Sequence, residues 1–169
     1  MKLTVGITID APPPDVWRVV EPIEHHVDWM ADAVSITFTS TIRRGVGTQF
    51  DCLTRLGPLH TTDRMGVTEW VPGEVMGIEH RGVVTGSGRF TLEPAEPAGT
   101  RFTWTEELTF PWWMGGAAGA IAAKPVLRAV WQRNLRHLKR LVERGPAQSG
   151  GPDSHQSEHR DGAPEHAAE

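Results

Sequence analysis

Five apolar residues near the C-terminal end, Leu127, Trp131, Leu135, Leu138 and Val142, recur at intervals of four, four, three and four. That spacing lays one apolar stripe along a single long helix. Nearly everything before residue 111 reads at a different period. Val5, Ile7 and Ile9 alternate with Gly6, Thr8 and Asp10, and Val34, Ile36, Phe38 and Ile42 alternate with Ser35, Thr37, Thr39 and Thr41. Further strand runs carry Phe50 and Cys52, then cover 59–71, 75–80, 83–93 and 100–110, with turn pairs such as Gly57-Pro58 and Pro72-Gly73 between them. Short strands joined by turns argue an antiparallel meander and not βαβ units. A sheet and one helix, each with a single apolar face, must then cover one another.

The exception to the period-two reading is the stretch after the first strand. Ala11-Pro12-Pro13-Pro14 ends that strand, because proline donates no hydrogen bond and holds the residue before it extended. Proline suits the first turn of a helix, as does an acid such as Asp15. Val16, Trp17 and Val20 then predict a short amphipathic helix ending near Pro22, and residues 23–30 predict a second one. The fold class is therefore α+β. A helix of about 25 residues spans roughly 37 Å, and strands of about 11 residues reach a similar length. A curved antiparallel sheet of about seven strands closes around such a helix, with the two short helices plugging one end. Curvature leaves concave apolar space between the layers, the usual seat of a small ligand. Gly145-Pro146 stops the helix and bounds a domain at 1–145. Residues 146–169 lack apolar periodicity and predict a disordered tail.

Several function classes drop out. A net charge of -4 without a cationic cluster gives no footprint for nucleic acid. Cys52 is the only cysteine, so neither an internal disulfide nor a thiolate-rich metal site is expected. Its parity with Phe50 predicts inert burial. No secretion signal opens the chain, and the small apolar run 114–123 is too short to span a bilayer, so the expected location is cytoplasmic. His25 and His26 diverge by about 100° on a helix and do not converge on one ion with Asp28. Gly115, Gly116 and Gly119 lack the Lys-Ser or Lys-Thr pair of a phosphate loop. No metal or cofactor is expected.

Glu106 is the sharpest candidate for chemistry. It shares parity with Phe102, Trp104, Leu108 and Phe110, which points it inward. A bulge near Glu106-Glu107 would return it to water. His80 shares parity with Met76 and Ile78, so the two could form an acid/base couple in the cavity, against the plainer reading of a satisfied histidine at a strand end. Seven tryptophans and no tyrosine make the rings informative. Trp17, Trp70 and Trp131 sit within regular elements and predict packing, Trp131 on the helix stripe that borders the cavity. Trp29, Trp104, Trp112 and Trp113 are pocket candidates, together with Phe50 and Phe90. Trp112-Trp113-Met114, next to its glycines, reads as a movable lid, as packing under the helix, or as a point of transient membrane contact.

The order of these pieces is itself distinctive. A first strand, Ala11-Pro12, Val16-Trp17, Asp28-Trp29, and a final helix with Asn134-Leu135 and Leu138-Lys139 resemble the START-like (SRPBCC) polyketide cyclase/dehydrase and lipid-transport family. Gly88-Arg89-Phe90-Thr91-Leu92 followed by Gly99-Thr100-Arg101-Phe102-Thr103-Trp104 is similar to that family's late hairpin, and the likeness runs over about residues 1–143. It implies a helix-grip fold with a hydrophobic cavity, and it implies no catalytic residue. Three readings follow: a binder or carrier of a small hydrophobic molecule such as a lipid, isoprenoid or polyketide; a cyclase, aromatase or dehydratase using Glu106 and His80; or a protein-interaction module built on 110–114 and the tail. The sequence names no protein partner.

Overall fold

The computed structural model describes residues 1–145, and the tail expected from residue 146 onward lies outside the described residues. Seven antiparallel strands form one sheet: β1 Lys2–Ile9, β2 Ala33–Phe38, β3 Gln49–Leu56, β4 Leu59–Val71, β5 Val75–Arg81, β6 Thr85–Ala95 and β7 Gly99–Thr109. Their spatial order is β1-β7-β6-β5-β4-β3-β2, a meander whose first strand returns to pair with its last. Helix α1, Pro13–Val20, and a 3₁₀ segment, Ile23–Asp28, follow β1. A second 3₁₀ turn, Trp112–Met114, leads into the long helix α2, Gly116–Arg144. This is the helix-grip arrangement.

Local chemistry accounts for the elements. In β1, Leu3, Val5 and Ile9 are buried and Ile7 packs half-buried against the core, while Lys2, Thr4, Gly6 and Thr8 are exposed. Prolines occupy the first turn of α1, and Val16, Trp17 and Val20 form its buried face. Trp17 meets Trp70 edge-on at 5.3 Å, so both serve packing on the inner side of the sheet. Gly115, at φ 84°, turns the chain from the Trp112–Met114 segment into α2.

Two expectations for β2 need correction. Val34 does not share the inner face with Ile36 and Phe38, because the β2–β3 register shifts between Ala33 and Ser35. The extra residue reverses the parity behind it: Ala33 faces the core and Val34 is exposed. Ile42 lies beyond the strand and is also exposed. The chain leaves the sheet after Phe38, where Thr39 and Ser40 donate their backbone N–H groups to the Gln49 carbonyl.

Helix α2 is held mainly by its C-terminal half. Trp131, Asn134, Leu135 and Leu138 are buried. Lys139 donates to the Thr8 carbonyl at 2.9 Å and to Asp10 at 3.1 Å, while Glu143 accepts from the Asp10 backbone at 2.8 Å. The N-terminal half, with Ile121 and Val126 exposed, presents Ala123 and Leu127 to a cavity.

Candidate functional site

The cavity, about 290 Å³, lies between α2 and the concave face of the sheet. Its wall is mostly apolar: Ile36, Phe50, Met65, Met76, Ile78, Phe90, Leu108, Phe110, Met114 and Leu127 contribute. Trp104 stacks on Trp131, with centroids 5.1 Å apart and planes 26° from parallel, and both rings line the space. Phe90 meets Trp104 edge-on at 5.3 Å.

Into this wall the fold sets one polar group of unusual cost. Glu106 is 3% exposed. The β6–β7 register runs without a shift from Thr85↔Thr109 to Ala95↔Gly99, so strict alternation carries Glu106 inward with Trp104 and Leu108. Its partner on β6 is Gly88, and Gly88 in turn faces Ile78 on β5. A Cβ at position 88 would run into the Glu106 carboxyl group. The bare backbone there lets the acid lie across β6 and reach His80 on β5, Nε2 to Oε2 at 3.1 Å. The other oxygen accepts from Trp104 Nε1 at 2.8 Å. A buried acid without such partners would cost several kcal/mol.

Asp63 joins this pair from β4. Thr61 donates to it at 3.4 Å, and burial raises its carboxyl above the usual aspartate range, against the pull of the His80 charge. Burial by itself would lower the His80 pKa. The hydrogen bond and charge of Glu106, with the charge of Asp63, outweigh it and hold the imidazole above its ordinary value. Two carboxyl groups thus favour the protonated form of His80 inside an apolar shell, an arrangement able to give or take a proton.

Two other titratable groups face the cavity quietly. His26 is buried, donates Nε2–H to the Val20 carbonyl at 2.7 Å, and is pushed down by burial to about 4, so it is neutral at neutral pH. Burial pushes the Cys52 thiol up to about 11, which keeps it an unreactive thiol. Asp32 is fixed by Asn134, whose Nδ2 donates to it at 2.6 Å while its Oδ1 accepts from the Ala31 N–H at 3.0 Å. Among the described residues no cluster of three or more metal-ligating side chains converges.

Of the residues singled out from sequence, Phe50, His80, Phe90, Trp104, Glu106 and Trp131 lie on the cavity wall. Trp29 is in the layer behind it, packed tilted against Phe90 and edge-on to Trp104, with its Nε1 unpartnered among the described residues. Trp112 and Trp113, expected as pocket residues or as packing under the helix, are neither: they are 87% and 60% exposed and absent from the cavity wall, where Met114 faces inward instead. Sequence reading passed over Asp63, Asp32 and Gly88. Asp63 shares parity with Met65 and Val67, a signal of the same kind as that for Glu106. Gly88 was readable as a glycine inside a strand, a mark of close approach. Asp32 had no local signal, because its partner lies 102 residues away.

The matching family covers residues 1–143 and is described as polyketide cyclase/dehydrase and lipid transport. The chain belongs to this family. No curated protein matches it. Its fold is similar to that of the Zhui aromatase/cyclase from a Streptomyces species, with TM-score 0.69 and 16% identity over 89% of this chain and 98% of that one. A Thermus thermophilus protein is similar at TM-score 0.70 and 19% identity, covering 85% of this chain and 98% of that one. A conserved Geobacillus kaustophilus protein reaches TM-score 0.72 at 12% identity, covering 85% and 96%. At such identities these likenesses speak for the fold of this polyketide cyclase/dehydrase and lipid-transport family member. No helix among the described residues is long and apolar enough to cross a membrane.

Proposed function

We propose that this protein binds a small, largely apolar molecule, of the lipid, isoprenoid or polyketide kind, in the cavity between α2 and the sheet. The observation that carries this reading is the space of about 290 Å³ walled mostly by aromatic and aliphatic side chains, with Glu106, His80 and Asp63 grouped in its lining. Trp104 and Trp131 supply a flat stacked face for a ring or chain, and Glu106, His80 and Asp63 supply the polar end. Trp112 and Trp113, on the outer side of the wall that Met114 completes, suit brief contact with an apolar surface, such as a bilayer, that delivers the ligand. Native mass spectra of freshly purified protein test the reading. A discrete added mass that disappears on denaturation supports it. A bare protein that also fails to quench its tryptophan emission with any polycyclic aromatic probe counts against it.

A second reading rests on one specific contact, the His80–Glu106 pair at 3.1 Å inside the cavity. Such a pair can move a proton to or from a carbonyl compound, as a cyclase or dehydratase must, with gains of about 10²- to 10⁴-fold. Unchanged turnover of a polyketide-like substrate by Glu106→Gln would remove that role.

A further inference from the structure

The cavity's polar end has a sign. Among its lining residues are three carboxyl groups, Asp32, Asp63 and Glu106, and neither a lysine nor an arginine. Two histidines could offset them, but His26 is neutral at neutral pH and spends its N–H on the Val20 carbonyl. Only His80, held above its ordinary value by its acidic neighbours, is left to supply positive charge. Three acidic side chains thus face one such basic group.

The hydrogen-bond inventory points the same way. An ionised carboxylate only accepts and offers about four lone-pair sites. Glu106 uses one site on each oxygen, toward Trp104 Nε1 and His80 Nε2. Asp32 takes one bond from Asn134. Trp104 Nε1, His80 Nε2, Thr61 Oγ1 and Asn134 Nδ2 are already turned toward these acids, and His26 toward a carbonyl, so most of the capacity left over at the acids is acceptor capacity. A ligand oxygen that can only accept meets no spare cation. One that donates meets several lone pairs in a water-poor wall, where such bonds are strong.

Resting on the reading of the cavity as a binding site, we infer that its ligand is an apolar body whose buried polar group donates hydrogen bonds, a phenol, alcohol or amine, and that molecules ending in a carboxylate are rejected. Free fatty acids fall on the rejected side. Hydroxylated ring systems and apolar amines fall on the accepted side.

The test uses the full chain and four naphthalene probes, followed by tryptophan quenching and by calorimetry. 2-Naphthylmethylamine and 2-naphthoate carry opposite charges on the same ring, so both lose hydration on burial. 2-Naphthol and 2-methoxynaphthalene share the ring and its oxygen, the methyl group taking the place of the donated hydrogen. The expected result is at least about tenfold tighter binding of the amine over the carboxylate, and several-fold tighter binding of the naphthol over its ether. Asp63→Asn and Glu106→Gln are each expected to narrow the first ratio. Carboxylate binding equal to or tighter than amine binding, or an ether that matches the naphthol, overturns the inference while leaving the binding site standing. If none of the four binds, the cavity reading itself falls.

Discussion

Replacing Glu106 by Gln reverses the direction in which His80 couples stability to pH. Gln keeps the shape, and its amide oxygen still accepts from Trp104 Nε1, the bond that measures 2.8 Å to the acid. What disappears is the negative charge beside the His80 ring. In the parent protein that charge and hydrogen bond hold the ring above its ordinary value of 6.5 despite burial. The pair's contribution is therefore fully present below pH 6.5 and is lost as pH rises through the native value. In the variant burial dominates and the native value drops below 6.5. The ring then contributes a loss of stability as pH falls from 6.5, when the unfolded chain takes up a proton that the folded chain refuses. About 1.4 kcal/mol accompanies each tenfold change in proton affinity. At about pH 6 Gln should cost about 1–2 kcal/mol, since both bonds retain a neutral form. Glu106→Leu should cost about 3–5 kcal/mol, because the Trp104 N–H and the His80 ring both lose their partner in a buried place. Urea unfolding at about pH 6 and about pH 8.5 gives the slopes. Proton NMR, with the His80 resonance assigned from a His80→Gln spectrum, gives the ring's titration directly. A parent ring that titrates below 6.5, or a ring whose midpoint is unmoved by Glu106→Gln, would refute the reasoning.

Three further outcomes are expected. Gly88→Ala should displace the Glu106 carboxyl group and cost about 1–3 kcal/mol, as overpacked cores do, whereas Gly66→Ala, in open space on β4, should leave the urea midpoint within error of the parent. His26 is held at about 4 in the folded chain, so stability should fall between pH 6.5 and 4 by about 3 kcal/mol more in the parent than in His26→Gln, read from paired unfolding curves. The double change Trp112→Ala and Trp113→Ala should shift stability by less than about 0.5 kcal/mol each, because both rings face solvent, yet it should slow ligand pick-up from lipid vesicles several-fold in a stopped-flow transfer assay.

The fold was legible because its signals are periodic. The stripe from Leu127 to Val142 and the alternation in β1 and β7 depend only on neighbours in sequence, and an unbroken β6–β7 register kept Glu106 where alternation puts it. Val34 shows the limit of that logic: one inserted residue at a register shift inverts a face, and nothing in Ala33-Val34-Ser35 announces it. The polar site was half legible. Glu106 and His80 follow from parity within their own strands. That they touch depends on a missing side chain on a third strand, Gly88. Asp32 depends on Asn134, more than a hundred residues away, and such pairings have no local signature. Trp112 and Trp113, taken for pocket or packing residues, lie outside because hydrophobicity predicts burial only on average.

The vacancy at position 88 makes the contact between Glu106 and His80 depend on one codon. Any side chain there would close the bridge between β5 and β7 while leaving the sheet, the helix and most of the apolar wall intact. A lineage carrying this fold could therefore lose or regain that buried acid–histidine contact in a single mutational step. Surveys of related sequences for reactive members would do well to sort first on that one residue, before looking at the acid or the histidine themselves.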